Sequence, residues 1–183
     1  MIYIIGGASR SGKSIAAKKF AYIHSIPYFS IDWLMMGLKH GAPSLQVDDN
    51  LLPDEIARKL WPTLYSMIEC MIHQRVDYIL EGEAIMPELL KKLTEKYPLE
   101  ISSVFLGYEP VSIEDKVNEV IRYSAIANDW ISDKSYEYIT EHVINMAKHS
   151  QIIKKKCLIN NMAYIDTTEE FSDKIKQLCN QLK

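Results

Sequence analysis

The fold of this chain is decided by the stretch Gly7-Ala8-Ser9-Arg10-Ser11-Gly12-Lys13-Ser14, which fits the pattern GxxxxGK[ST]. An apolar run, Ile2 to Ile5, comes directly before it, and a segment with Ala16, Phe20 and Ile23 on one helical face comes directly after it. A phosphate-binding loop requires this strand-loop-helix context. The alternative is an ordinary strand-to-helix turn with a solvated Lys13, but that gives no reason for both glycines and the Lys-Ser pair.

The chemistry of the motif assigns a role to each part of the loop. Its glycines let successive backbone N–H groups turn inward around a di- or triphosphate, and the following helix adds its positive N-terminal end. Lys13 then reaches the β- and γ-phosphates, and the Ser14 hydroxyl binds Mg²⁺. The nucleotide is therefore expected to be held by Gly7, Ala8, Ser9, Arg10, Ser11, Gly12, Lys13, Ser14 and Ile15.

The rest of the chain alternates short apolar runs with helical periodicity. Strands that are separated by helices run parallel through right-handed crossovers, and ligands bind at their carboxyl ends. We therefore predict one domain over residues 1–183 with a three-layer α/β/α P-loop NTPase fold and a five-stranded parallel sheet. The predicted strands are Ile2 to Ile5, Tyr28 to Ile31, Tyr78 to Leu80, Ile101 to Leu106 and Ala163 to Ile165.

Two connections are longer than a simple crossover needs, which is typical of substrate pockets and lids. The first is a substrate excursion over about residues 33–75, with a loop and a helical region interrupted by Pro62. The second, between Val111 and Met162, includes a lid over about residues 124–134, centred on Asn128 to Lys134. We also expect Thr168 to cap the last helix.

Asp32 closes the second predicted strand, at the edge of the sheet where ligands bind. A carboxylate there can accept the proton of an attacking hydroxyl and hold a water bound to Mg²⁺. The alternative is an N-cap for a helix that starts at Trp33, and one aspartate can serve both purposes.

Glu81 ends the third predicted strand, and Glu83 follows it closely. An acid that emerges from an apolar strand is costly to bury unless a cation is near, and Mg²⁺ at Ser14 would supply one. We therefore expect Glu81 to be the acidic partner of the metal. Glu83 is either solvated or a hydrogen-bond partner of the substrate.

These motifs resemble those of the P-loop kinases of small molecules, which include adenylate, shikimate, gluconate, uridine and 2-phosphoglycerate kinases. The segment Glu81 to Pro87 is similar to the Glu-Gly segment of the uridine and 2-phosphoglycerate enzymes, and it lacks the Asp-Gly-x-Pro-Arg sequence of adenylate kinases. The resemblance implies ATP and Mg²⁺ as cofactors, a closing lid, and an acceptor hydroxyl on a small metabolite. It also makes Lys13, Asp32 and Arg122 the expected catalytic residues.

Phosphoryl transfer needs cations that offset the charge on the transferring group. Arg122 precedes the predicted lid, where related kinases place arginines; the alternative is a residue on a helix surface that pairs with Glu119 or Asp115. Arg10 either covers the adenine or points to solvent, and Arg58 could meet an anionic substrate.

The composition limits the class of protein. With 21 Lys and Arg against 24 Asp and Glu, the net charge is −3, which argues against a nucleic-acid or anionic-membrane surface. We expect a cytoplasmic monomer or homodimer, with no membrane segment, no zinc site, and three buried free thiols at Cys70, Cys157 and Cys179. Two other functions stay open: a P-loop ATPase or switch, and a toxin-like kinase that acts on a sugar nucleotide.

Overall fold

The central element is a sheet of five parallel strands in the order β2-β3-β1-β4-β5. In this computed structural model, residues 1–109, 112–127 and 129–182 are described. The predicted α/β fold and all five predicted strands are confirmed, with ends that differ by at most two residues. The strands are β1 Ile2–Gly7, β2 Tyr28–Ser30, β3 Tyr78–Glu81, β4 Ile101–Gly107 and β5 Tyr164–Asp166.

Helices connect successive strands, as parallel pairing requires. One 3₁₀ turn, Pro43–Leu45, lies between the second and third helices. The helices are α1 Lys13–His24, α2 Ile31–Gly41, α3 Pro53–His73, α4 Pro87–Lys96, α5 Ile113–Ala127, α6 Tyr136–Asn160 and α7 Phe171–Gln181.

The alternation of side chains along β1 divides the core into two layers. Ile2 and Ile4 are fully buried in a cluster with α3 and α4, while Ile5 is fully buried in a cluster with α1 and α7. Both faces of the central strand are therefore covered, which explains why it is apolar throughout. The result is the predicted three-layer arrangement.

A third, smaller hydrophobic cluster lies at the predicted lid. Val117 and Val120 of α5 pack with Ile131, Ile139 and Val143, so the start of α6 rests on α5. Two residues named in the sequence predictions for this connection, Val111 and Asn128, lie outside the described residues.

Three local predictions are wrong. The helix after β2 begins at Ile31, so Asp32 lies in its first turn and Ser30 is its N-cap residue. The helix α3 runs through Pro62 without interruption, because apolar residues on one face are buried on both sides of the proline. The N-cap residue of α7 is Glu170, and Thr168 instead accepts a hydrogen bond from the Glu109 backbone N–H.

The cysteines are free, as expected, but only two are buried. Cys157 and Cys179 lie in the core, and Cys70 is exposed on α3. Among the described helices, none combines the length and apolar character needed to cross a membrane.

Candidate active site

Both glycines of the loop occupy positions that only glycine tolerates. Gly7 has φ 127°, and a Cβ atom at this residue would overlap the Leu106 carbonyl oxygen of the neighbouring strand. Gly12 has φ 93°, and its Cβ would lie 2.5 Å from the Phe171 ring of α7. The sheet and the last helix thus fix the loop on both sides.

Lys13 begins α1 and is almost fully buried. Its Nζ donates a hydrogen bond to the Ala8 carbonyl oxygen at 2.7 Å, so the ammonium group lies across the loop rather than in solvent. The Ser11 hydroxyl donates to the same carbonyl at 2.7 Å. The unpaired N–H groups at the start of α1 and the Lys13 charge together make this end of the loop strongly attractive to phosphate.

Ser14 and Glu81 meet, as the sequence predicts. The Ser14 hydroxyl donates to Glu81 Oε2 at 3.2 Å, although the two residues are 67 positions apart. Glu81 is 3% exposed, and it takes part in no ion pair among the described residues. A buried carboxylate of this kind is stabilised by a cation, so the pair fits Mg²⁺.

Asp32 lies just after β2, at the edge of the sheet formed by the carboxyl ends of the strands. This residue is exposed in the first turn of α2, and its charge is one cause of the raised pKa of Glu83. Burial is the main cause of that shift, and the charges of Lys13 and Arg10 partly oppose it. The charges of Asp32 and Lys13 therefore both act on Glu83, which lies just after β3.

Arg10 is tied to the connection between α5 and α6, which neither sequence alternative anticipated. Its guanidinium forms a two-pronged ion pair with Asp129, one of whose hydrogen bonds is 3.0 Å long, and it lies 5.7 Å from the centre of the Trp130 ring. Burial tends to raise the pKa of Asp129, but the hydrogen bonds and charge of Arg10 outweigh burial and lower it.

Arg122 is exposed on α5, with its guanidinium 5.4 Å from the centre of the Tyr123 ring. The pairing with Glu119 suggested as an alternative is taken by Lys116, whose Nζ lies 3.1 Å from that carboxylate. Arg122 is thus not brought to the loop in this conformation, and its catalytic role stays a prediction.

Sequence reasoning missed two buried polar groups beside the loop. His149 Nε2 on α6 and the Tyr108 hydroxyl after β4 are both enclosed without a hydrogen-bond partner among the described residues. Burial, followed by the charges of Lys13 and Lys156, lowers the pKa of His149 to about 4. The available signal was a histidine on the buried face of an amphipathic helix.

A cavity of about 210 Å³ opens beside Tyr108, whose side chain packs against Ala8 of the loop. The cavity lies between the start of α5 and the segment after β5. Its lining residues are Tyr108, Ser112, Asp115, Lys116, Glu119, Thr168 and Glu169.

The solved structures that share this fold include several kinases. A shikimate kinase from Bacteroides thetaiotaomicron matches with a TM-score of 0.52 at 15% identity, covering 100% of this chain and 95% of that one. A gluconokinase from Sinorhizobium meliloti 1021 matches with a TM-score of 0.52 at 17% identity, covering 98% and 90%. A sugar kinase from Janibacter sp. HTCC2649 matches with a TM-score of 0.55 at 18% identity, covering 99% and 93%.

No protein-family model matches the sequence. The likeness to these kinases extends over the whole chain, and it includes the five-stranded parallel sheet and the loop after its central strand. The chain therefore has the fold of the P-loop small-molecule kinases, which confirms at the level of the fold the resemblance seen in its sequence.

Proposed function

We propose that this protein transfers the γ-phosphoryl group of ATP to a hydroxyl group of a small molecule. One observation carries the proposal: a phosphate-binding loop ending in Lys13 and Ser14 stands beside the buried Glu81, with Asp32 in the first turn of α2, just after β2. The names of the proteins that share the fold support the same reaction class.

The residues of the loop would bind the phosphates of ATP. Lys13 would exchange its hydrogen bond to Ala8 for the β- and γ-phosphate oxygens, and the N–H groups at the start of α1 would add neutral donors. Ser14 and Glu81 would hold Mg²⁺, which when bound neutralises charge on the phosphate oxygens. A magnesium site of this class needs only one or two protein ligands.

Asp32 would orient the acceptor hydroxyl and take its proton as the new O–P bond forms. Asp32 is exposed, so an acceptor from solvent can reach it. Arg122 would approach the transferring group when the segment over about residues 124–134 closes, which would also exclude water from the reaction.

The base of the nucleotide would lie in the cavity beside Tyr108. The cavity is adjacent to the loop through the contact between Tyr108 and Ala8, and it is open at the carboxyl ends of β4 and β5. An adenine in this position would be lined by the start of α5, which links nucleotide binding to the helix that carries Arg122.

The proposal is tested by incubating the protein with γ-labelled ATP, Mg²⁺ and a library of metabolites, and by reading products with mass spectrometry. A product that gains one phosphoryl group, together with ADP, would support the kinase function. ADP and inorganic phosphate without any phosphorylated acceptor would instead indicate an ATPase or switch. Wild-type and Lys13→Ala proteins measured side by side separate loop-dependent transfer from contamination.

A further inference from the structure

The phosphate loop carries two cations, and their partners differ. Lys13 Nζ donates to the neutral Ala8 carbonyl oxygen at 2.7 Å, and Lys13 forms no ion pair among the described residues. The Arg10 guanidinium instead donates to both carboxylate oxygens of Asp129, with one bond 3.0 Å long. An incoming phosphate therefore meets no competing carboxylate at Lys13, whereas at Arg10 it meets one.

The contact between Arg10 and Asp129 joins two distant parts of the chain. The two residues are 119 positions apart, and Asp129 belongs to the connection between α5 and α6. Their side chains are only 18% and 22% exposed. Trp130 extends the contact, because its ring lies 5.7 Å from the Arg10 guanidinium carbon and meets the His142 ring of α6 edge to face. The ion pair is thus partly shielded from water, which strengthens it relative to a pair on the open surface.

We propose that Asp129 competes with a phosphate of the nucleotide for Arg10, and that it thereby lowers the affinity of the protein for the nucleotide. This inference rests on the proposed function, because it requires the loop to bind a nucleotide. It goes beyond that function by giving a role to a residue outside the phosphate-binding motif.

The chemistry of the guanidinium group makes the two ligands alternatives. Its planar fork of N–H donors forms two parallel hydrogen bonds with a carboxylate or with a phosphate in the same geometry. Arg10 lies within the loop, three residues before Lys13. Because such a loop wraps around the phosphates, a side chain that starts from it is within their reach.

The charges determine the direction of the effect. The phosphates of a nucleotide repel the Asp129 carboxylate and attract the Arg10 guanidinium, so binding at Arg10 requires the ion pair to separate. The free energy of the pair then opposes nucleotide binding. Asp129→Asn, with Asp129→Ala as a second variant, should therefore lower the Kd for Mg-ATP by about 5- to 30-fold, the range expected for a partly enclosed ion pair.

The effects of Asp129→Asn on stability and on binding should have opposite signs. The variant should unfold at a lower urea concentration, because it lacks an ion pair, and yet bind Mg-ATP more tightly. A residue that only held the connection in place would weaken both properties when replaced. The matched control is Asp133→Asn, which removes the same charge from the same connection at a side chain that is 74% exposed.

A double-mutant cycle tests whether Asp129 acts through Arg10. Arg10→Gln alone should raise the Kd for Mg-ATP about tenfold or more, because a charged donor to phosphate is lost. Adding Asp129→Asn to Arg10→Gln should then give no further tightening. The control is Arg75→Gln, since Arg75 is exposed, has a similar left-handed φ of 55°, and precedes β3 at the opposite end of the sheet. Equal tightening with and without Arg10 would overturn the inference.

A ligand without phosphates shows which part of the nucleotide is involved. Isothermal titration calorimetry measures Mg-ATP, and a titration followed by NMR measures adenosine. The affinity for adenosine should be the same in the wild type and in Asp129→Asn. A gain for adenosine as large as the gain for Mg-ATP would place Asp129 at the base, and would also overturn the inference.

Failure of the inference can be told from failure of the proposed function. Lys13→Met and the melting temperature of every variant are measured in parallel. If Lys13→Met binds Mg-ATP much more weakly than the wild type, the phosphate site holds, and unchanged or weaker binding by Asp129→Asn then removes this inference alone. If the folded wild type does not bind Mg-ATP, the proposed function fails, and this inference fails with it.

Discussion

Lys13 allows a sharp test of the phosphate site, because its charge can be removed while most of its buried stem is kept. In a Lys13→Met variant, the hydrogen bond from Nζ to the Ala8 carbonyl disappears, but that carbonyl still accepts a hydrogen bond from the Ser11 hydroxyl at 2.7 Å. No buried acceptor is left unpaired. We therefore expect the free energy of unfolding to change by less than about 1 kcal/mol.

The effect on nucleotide binding should be much larger than the effect on stability. A hydrogen bond between ionised partners contributes about 1.5–3 kcal/mol, which corresponds to an increase of about 10- to 150-fold in the Kd for Mg-ATP. Transfer should slow further, by at least about 100-fold, because the lost cation also stabilises charge in the transition state.

Isothermal titration calorimetry measures this affinity directly. Lys18→Met is the matched control, since it removes the same charge from an exposed position on the same helix. If Lys13→Met and Lys18→Met bind Mg-ATP equally well, the assignment of the loop to phosphate binding is wrong. If Lys13→Met unfolds far more easily, the account of its hydrogen bonds is wrong.

The remaining predictions concern side chains around the loop. Asp32→Asn should lower kcat by about 10²- to 10⁴-fold through loss of the proton acceptor, with little change in melting temperature. Arg122→Ala should lower kcat by about 10³-fold, and hydrogen exchange across residues 122–140 should slow when a non-hydrolysable ATP analogue and an acceptor are both bound. Asp129→Asn should lower the free energy of unfolding in urea by about 1–2 kcal/mol, since Arg10 loses a carboxylate partner and both side chains are about one-fifth exposed. Burial, followed by the charges of Lys13 and Lys156, lowers the pKa of His149 from 6.5 to about 4. Because folding favours the neutral imidazole, the free energy of unfolding should be unaffected by His149 above pH 6.5 and should fall by at most about 3 kcal/mol as the pH drops toward 4.

Each of these predictions has an outcome that contradicts it. Unchanged turnover of Asp32→Asn would show that Asp32 has no catalytic role. Full activity of Arg122→Ala would show the same for Arg122. A stability loss in Asp129→Asn no greater than in Asp133→Asn, at a side chain 74% exposed, would make the pair with Arg10 unimportant. A His149→Gln protein with the same acid dependence as the wild type would assign that dependence to other groups.

Much of the fold could be predicted because its signals are local. Ile2, Ile4 and Ile5 form a continuous apolar run, which a strand covered on both faces needs, and the next residues form the loop whose glycines are sterically required. The interior of α3 was predicted less well. A proline inside a helix costs about 3 kcal/mol, yet Ile56 and Leu60 before it and Leu64 and Ile68 after it are all buried on one face, and their burial outweighs that cost.

The acceptor side of the site could be predicted only in part, because its residues come together through the topology of the sheet. Glu83 follows β3, whereas His149 lies near the middle of α6, and no spacing along the chain connects them. The packing of α6 against the sheet brings them within 3.9 Å. The sequence did contain a weaker signal: Ala147, Ser150 and Ile153 define the buried face of α6, and His149 stands on it as a titratable residue that burial makes costly. Only the three-dimensional packing shows that His149 Nε2 lies near Glu83 and has no hydrogen-bond partner among the described residues.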